Sequence, residues 1–257
     1  VSIKRLPPPD KMTFLEHLDE LRVRLIRCVF AMLIAFGISW NFAVQIFHFI
    51  TQPLRNAFPT IQFIYTEPTE AFFLYMQVAF FASIFLASPY ILYQVWSFIA
   101  PGLYQHERAY AVPFIFFGSA FFISGGLFGH YILFPMTFKF LGQYGGQDMT
   151  FMPKITEYYS FYSWFLLGLG LVFQLPVIIY VLARIGIVSA GFLLRQFKYA
   201  FLAAFVISAI ITPSGDMITQ TALAVPMLGL YLLGVLVAWI FGKPRRTSAD
   251  VSEGPES

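Results

Sequence analysis

The sequence predicts an all-α membrane protein with six transmembrane helices and both termini on the inner side. Three observations carry that expectation. Of 257 residues, 58% are hydrophobic and only 11% are charged, against roughly 25% charged in a soluble domain. Six apolar stretches recur along the chain, at about 25–47, 71–99, 111–138, 158–182, 197–212 and 217–241. The lysines and arginines cluster on one side of those stretches, as they do on the inner side of membrane proteins.

The first eleven residues contain Pro7-Pro8-Pro9, and residues 1–12 are expected to be flexible, with Met12 a candidate start. No apolar region with a cleavage site opens the chain, so no cleavable signal peptide is expected. Residues 13–24, TFLEHLDELRVR, have helical periodicity: Phe14, Leu15, Leu18 and Leu21, continued by Leu25, make an apolar stripe among charges. Thr13 and Glu16 stand in capping-box spacing. Acids precede arginines, the order that the helix dipole favours. An amphipathic helix at this junction is expected to lie along the membrane surface.

The first four apolar stretches are long enough to cross about 30 Å of hydrocarbon. The fifth, at about 24 Å for its length, is short, and it turns tightly through Pro213-Ser214-Gly215-Asp216 into the sixth. A short helical hairpin of the fifth and sixth helices implies local thinning of the bilayer or packed partners. Pro89, Pro113, Pro135, Pro176 and Pro226 fall within the spans and should bend them into a curved wall. Gly125 and Gly129 form a GxxxG pair, read as a close-packing face. Two outer segments, 48–70 and 143–157, mix prolines or glycines with aromatics and are expected to be ordered caps. Thirteen of the 16 lysines and arginines fall on the inner side and only Arg55, Lys139 and Lys154 on the outer, which places both termini in the cytoplasm. Residues 1–242 are read as a single polytopic domain and 243–257 as a disordered cytoplasmic tail.

Composition also excludes functions. Net charge is only +3, so charge makes no case for a nucleic-acid partner. The one cysteine, Cys28, rules out a disulfide framework. No HExxH, GxSxG or Walker A motif is present, so neither an enzyme nor a metal or other cofactor is expected. A small-solute secondary transporter is the alternative reading, but such proteins place charged or broken-helix sites near the midplane, and here the notable groups are the amides Gln77 and Gln174. Gln174, followed by Leu175-Pro176, suits either an interhelical hydrogen bond or a polar docking point for another helix. His130 has no acid near it in sequence and reads as an interfacial packing residue.

On the inner side, Glu20 lies in the surface helix and Glu107 is the only acid of the loop that follows span two. Two separated carboxylates beside Trp96, Phe98 and Tyr104 suit a cationic, partly apolar peptide. Arginine is the natural guest, because its planar fork bonds a carboxylate bidentately. Glu20 also stands four residues from Arg24, and a simple surface pair is the competing reading.

Several runs resemble the twin-arginine translocase TatC family. They are HLDELRVRL at 17–25, SPYILYQVWSFIAPGLYQHER at 88–108, GLVFQLPV at 170–177 and ITPSGDMITQTALAVPM at 211–227. The resemblance covers about 12–242. It implies six helices in a curved, glove-like arrangement, and a receptor in the cell inner membrane for signal peptides bearing consecutive arginines on folded cargo. Transport would draw on the proton motive force, with single-span TatA and TatB-type subunits, self-association and membrane lipid as partners. By motif position it makes Glu20 and Glu107 the carboxylates that meet the arginines, with His17 and Phe98 in the same patch. Pro53 matches an outer-cap position important for function. Gln174 falls where many relatives carry Glu, and Thr212 and Gln220 would complete an intramembrane polar cluster for partner docking.

Overall fold

The computed structural model describes residues 14–59, 61–99, 111–142, 152–212 and 216–242. Among them the chain is all-helical, and its one β-type pairing is an isolated bridge between Ile64 and Lys154. The helices are α1 (Phe14–Asn41), α2 (Ala43–Ala57), α3 (Glu70–Ile99), α4 (Ala111–Phe128), α5 (Phe134–Gly142), α6 (Ile155–Val172), α7 (Leu175–Ile185), α8 (Ala190–Arg195), α9 (Phe197–Ile211) and α10 (Met217–Phe241). A π turn, Gly129–Leu133, joins α4 to α5.

Among the described residues, four helical runs are long and apolar enough to cross a membrane: Glu70–Phe98, Val112–Phe140, Ile155–Ile185 and Met217–Phe241. The first expected span falls on the apolar half of α1 and ends at Asn41, not near Phe47. The Asn41 amide donates back to the Gly37 carbonyl at 2.8 Å, and α2 starts afresh at Ala43. Residues 14–24, expected as a separate surface helix, are the opening turns of the same uninterrupted 28-residue helix. The expected shortness of the last hairpin belongs to α9 alone, with 15 residues; α10 has 25.

Prolines act in two ways. Pro176 sits in the first turn of α7, where no intrahelical N–H bond is lost, while Pro113 is the third residue of α4 and Pro135 the second of α5, which directly follows the π turn. Pro53, Pro89 and Pro226 are inside α2, α3 and α10. At Pro89 the carbonyl that loses its partner is that of Phe85, four residues back, and the Ser88 hydroxyl donates to it at 2.7 Å. A neighbouring hydroxyl thus satisfies the freed group, as an apolar environment demands.

The described helices fall into two compact units. In the first, α1 packs along α3. The α1 face turned inward is made of His17, Glu20, Arg24, Cys28, Ala35 and Ser39 at helical spacing, while Leu18, Leu21 and Leu25 are exposed. Trp96 is buried against Phe114 of α4, with ring centroids 4.8 Å apart.

The second unit holds residues 50–66 and those from Phe121 onward. Gly125 lies so close to α6 that a Cβ there would meet the Leu169 carbonyl oxygen and Phe173 Cβ at 2.9 Å. The GxxxG reading as a packing face therefore holds. An aromatic centre forms from Phe134, Tyr158, Tyr162 and Phe165, all buried. His130 is 1% exposed and its Nδ1 lies 2.8 Å from the Tyr162 hydroxyl, so it packs in the interior with a polar partner. The segment 50–66, expected as an outer cap, is tied down on the same unit. Ile64 N–H donates to Pro153, Ile155 N–H to Ile64, and the Tyr158 hydroxyl to the Ile50 carbonyl at 2.7 Å. These bonds make 50–66 an ordered cap; residues 143–151 of the other expected cap lie outside the described residues. Beyond the α6–α7 break, α7, α8 and α10 share a second core of Ile179, Ala183, Leu193, Val235 and Ala238.

Candidate functional site

The inward stripe of α1 meets the last two turns of α3. His17, Glu20 and Arg24, at spacings of three and four, share one α1 face, and Gln94 and Phe98 share one α3 face. The His17 imidazole stacks on the Phe98 ring, centroids 4.3 Å apart and planes 17° apart. Arg24 Nε donates to Glu20 Oε1 at 3.0 Å, and a second guanidinium nitrogen reaches the same oxygen. Arg24 Nη1 also lies 3.4 Å from Gln94 Oε1. The two helices are thus joined by a ring stack and a guanidinium bridge.

Glu20 is the group with capacity left over. Arg24 engages Oε1 alone; Oε2 is buried and has no hydrogen-bond partner. His17 Nδ1 is 3.8 Å from it, too far for a hydrogen bond. The Glu20–Arg24 pairing considered from sequence is therefore real, and it leaves Oε2 without a hydrogen-bond partner. The Glu20 side chain is 20% exposed, so a charge arriving there would be partly shielded from water, where an ion pair strengthens.

Of the residues expected at this site, His17, Glu20 and Phe98 are brought together. Glu107 and Tyr104 lie outside the described residues. Trp96, read as part of an aromatic shelf, is 3% exposed and turned inward, which is a correction: alternate α3 residues cannot share one face, and Trp96 is two from Phe98. Gln94 was missed; its signal was a lone amide one helical turn before Phe98 in an apolar run.

The polar residues assigned to partner docking lie in the second unit. Ser208 donates to the Gln220 carbonyl at 2.6 Å, Gln220 Nε2 donates to the Phe205 carbonyl at 2.9 Å, and Thr212 Oγ1 donates to the Ser208 carbonyl. These bonds pin α9 to α10 and bring Thr212 and Gln220 into one network through Ser208. Sequence reasoning missed Ser208, although a hydroxyl one turn before Thr212 was visible. Asp216 caps α10, its Oδ1 accepting the Thr219 N–H at 2.6 Å. Gln174 is buried at the break between α6 and α7. Pro53 is buried within α2. No group of acids, histidines and cysteine among the described residues could hold a metal ion.

The chain matches the family described as Sec-independent protein translocase protein (TatC) over residues 16–226. A relative from Koribacter versatilis (strain Ellin345), named Sec-independent protein translocase protein TatC, is 42% identical over 95% of this chain and 92% of its own length. One of the same name from Carboxydothermus hydrogenoformans is 38% identical over 93% of this chain and 97% of its own. Among solved structures, the chain is similar to a twin-arginine translocase receptor TatC crystallised in DDM. The TM-score is 0.78 and the identity 35%, over 89% of this chain and all of that one. A second crystal structure of a TatC receptor gives a TM-score of 0.75 at 36% identity, over 87% of this chain and 98% of that one.

Proposed function

This chain belongs to the TatC family, a component of the Sec-independent protein translocase, and on that premise we propose that it is the receptor for twin-arginine signal peptides and the core on which the translocase assembles. The small-solute transporter reading finds no support among relatives that are named as protein translocase subunits. The reading has the chain act as receptor and platform, not as an enzyme, in the cell inner membrane with both termini cytoplasmic.

The observation that carries the site is the Glu20 carboxylate, held between α1 and α3 with Oε2 unspent. One arginine of the signal peptide takes Glu20 and the other takes Glu107, which follows α3 in sequence. The His17–Phe98 stack offers a flat face to the planar guanidinium. The apolar part of the signal then moves toward Gln174. TatA and TatB-type single-span subunits dock at Gln174, Thr212 and Gln220, and the short α9 helps them thin the bilayer. The proton motive force supplies the work. The outer cap around Pro53 and self-association belong to the same proposal.

The test is crosslinking of the purified chain to a twin-arginine peptide and to its twin-lysine counterpart. Arginine should label more strongly; equal labelling would sink the receptor reading. Glu107→Gln should impair both labelling and export of a folded reporter. Glu20→Gln should do so less, since Asp19, exposed on the same helix, partly supplies the charge. The opposite ranking would count against this division of roles.

A further inference from the structure

We propose that the trough on the α1–α3 surface holds an anionic phospholipid, its phosphate on the Arg27 guanidinium and one acyl chain along α1. The inward register that sets His17 on Phe98 and Arg24 on Gln94 brings Tyr90 level with Arg27. From there a trough of about 530 Å³ runs up α1 to Ile38. Its floor is small and buried, with Ala35 and Ala87 each 5% exposed, while the flanking Phe30 and Ile34 are largely exposed.

Two features choose the occupant. The first is charge. Arg27 is the only ionisable cation lining the trough, and it forms no ion pair or hydrogen bond among the described residues. The acids nearest in sequence do not neutralise it: Asp19 and Glu20 form no ion pair with it among the described residues, and the described acids of α3 and the segment before it, Glu67 and Glu70, are at the far end of that helix. Tyr90, which also lines the trough, carries a hydroxyl that can serve as a second donor. A guanidinium and a hydroxyl at the mouth of an apolar trough match a phosphate diester on an acyl chain. The second feature is length. From Arg27 to Ile38, eleven residues of helix rise about 16 Å, close to the ~15 Å of one leaflet's hydrocarbon. A peptide helix would need a broader groove along both walls, whereas α3 contributes only Leu86, Ala87 and Tyr90.

Placing the phosphate at the inner leaflet rests on the orientation given under the proposed function; the headgroup preference itself does not. The full chain in detergent is mixed with phosphatidylglycerol or phosphatidylcholine of identical acyl chains, and retained lipid is read by native mass spectrometry. Phosphatidylglycerol should be retained about fivefold over phosphatidylcholine, the worth of one basic side chain at a lipid surface. Arg27→Gln should abolish that preference and Arg27→Lys should keep most of it. Ala31→Phe, which fills the trough but leaves the charge, should lower retention of both lipids. Equal retention by the unaltered chain, or a preference that survives Arg27→Gln, would overturn the proposal. Displacement of phosphatidylglycerol by free glycerol phosphate at equal concentration would reduce the site to a headgroup pocket and overturn the acyl assignment. A dimer that forms as lipid is lost would assign the trough to a second copy instead. Twin-arginine crosslinking on the Arg27→Gln chain separates the two readings, because a failed lipid preference with peptide labelling intact rejects the trough alone.

Discussion

Under the proposed function, Glu20 is claimed from two directions. Arg24, one turn along α1, holds Oε1, and an incoming guanidinium must make do with Oε2 or displace it. A pairing of this kind stabilises a helix by about 0.2–0.5 kcal/mol, so the internal competitor is weak. Arg24→Gln should therefore raise twin-arginine peptide binding by about twofold. Titration of a fluorescent peptide measures it, and a loss of affinity would mean that Arg24 positions the carboxylate more than it competes for it. The sequence made Glu20, His17 and Phe98 legible through the motifs of the family it resembles. It could not reveal that Oε2 is unspent, because that depends on Gln94 drawing the Arg24 guanidinium toward α3.

At the scale of helices, α1 teaches the larger lesson. Its leucine stripe was the obvious apolar signal, yet Leu18, Leu21 and Leu25 are exposed and the small or polar residues pack on α3. In a membrane, lipid tails are as apolar as leucine, so apolarity cannot decide which face turns inward; close packing and polar bonds do. The same reasoning made the Gly125/Gly129 pair readable from spacing. The two glycines are not equivalent: a Cβ at Gly125 meets backbone oxygen, whereas one at Gly129 meets the movable end of Leu169 at 2.7 Å. Gly125→Ala should destabilise the protein by about 1–3 kcal/mol, and Gly129→Ala by less. Thermal unfolding in detergent measures both; equal midpoints would refute the difference. The break between α1 and α2 left no trace, as residues 40–50 contain neither glycine nor proline. The α6–α7 break was foreshadowed by Pro176, but the π turn before Pro135 was not, since its residues have no distinctive signature.

For the molecule as a whole, the residues proposed for recognition and those proposed for assembly fall in different units. The His17–Glu20–Phe98 cluster belongs to the unit of α1 and α3, and the Ser208–Thr212–Gln220 network belongs to the unit containing α9 and α10. Gln220→Leu should therefore reduce crosslinking to a TatA-type subunit while twin-arginine peptide labelling stays unchanged; loss of both together would show that the hairpin network supports the whole fold and not docking. Composition alone disclosed the membrane class, because so few charges can solvate so long a chain, and the family was legible in its motifs. The division into units was not, since it depends on which helices touch. One consequence follows from the unbroken course of α1. At 28 residues it is about 42 Å of continuous hydrogen-bonded rod, with the carboxylate near one end and Ser39 near the other. No hinge separates them, so a pull on Glu20 cannot be absorbed locally: the rod must tilt or slide entire, and under the proposed function an occupied Glu20 becomes a mechanical load on the apolar half of the helix.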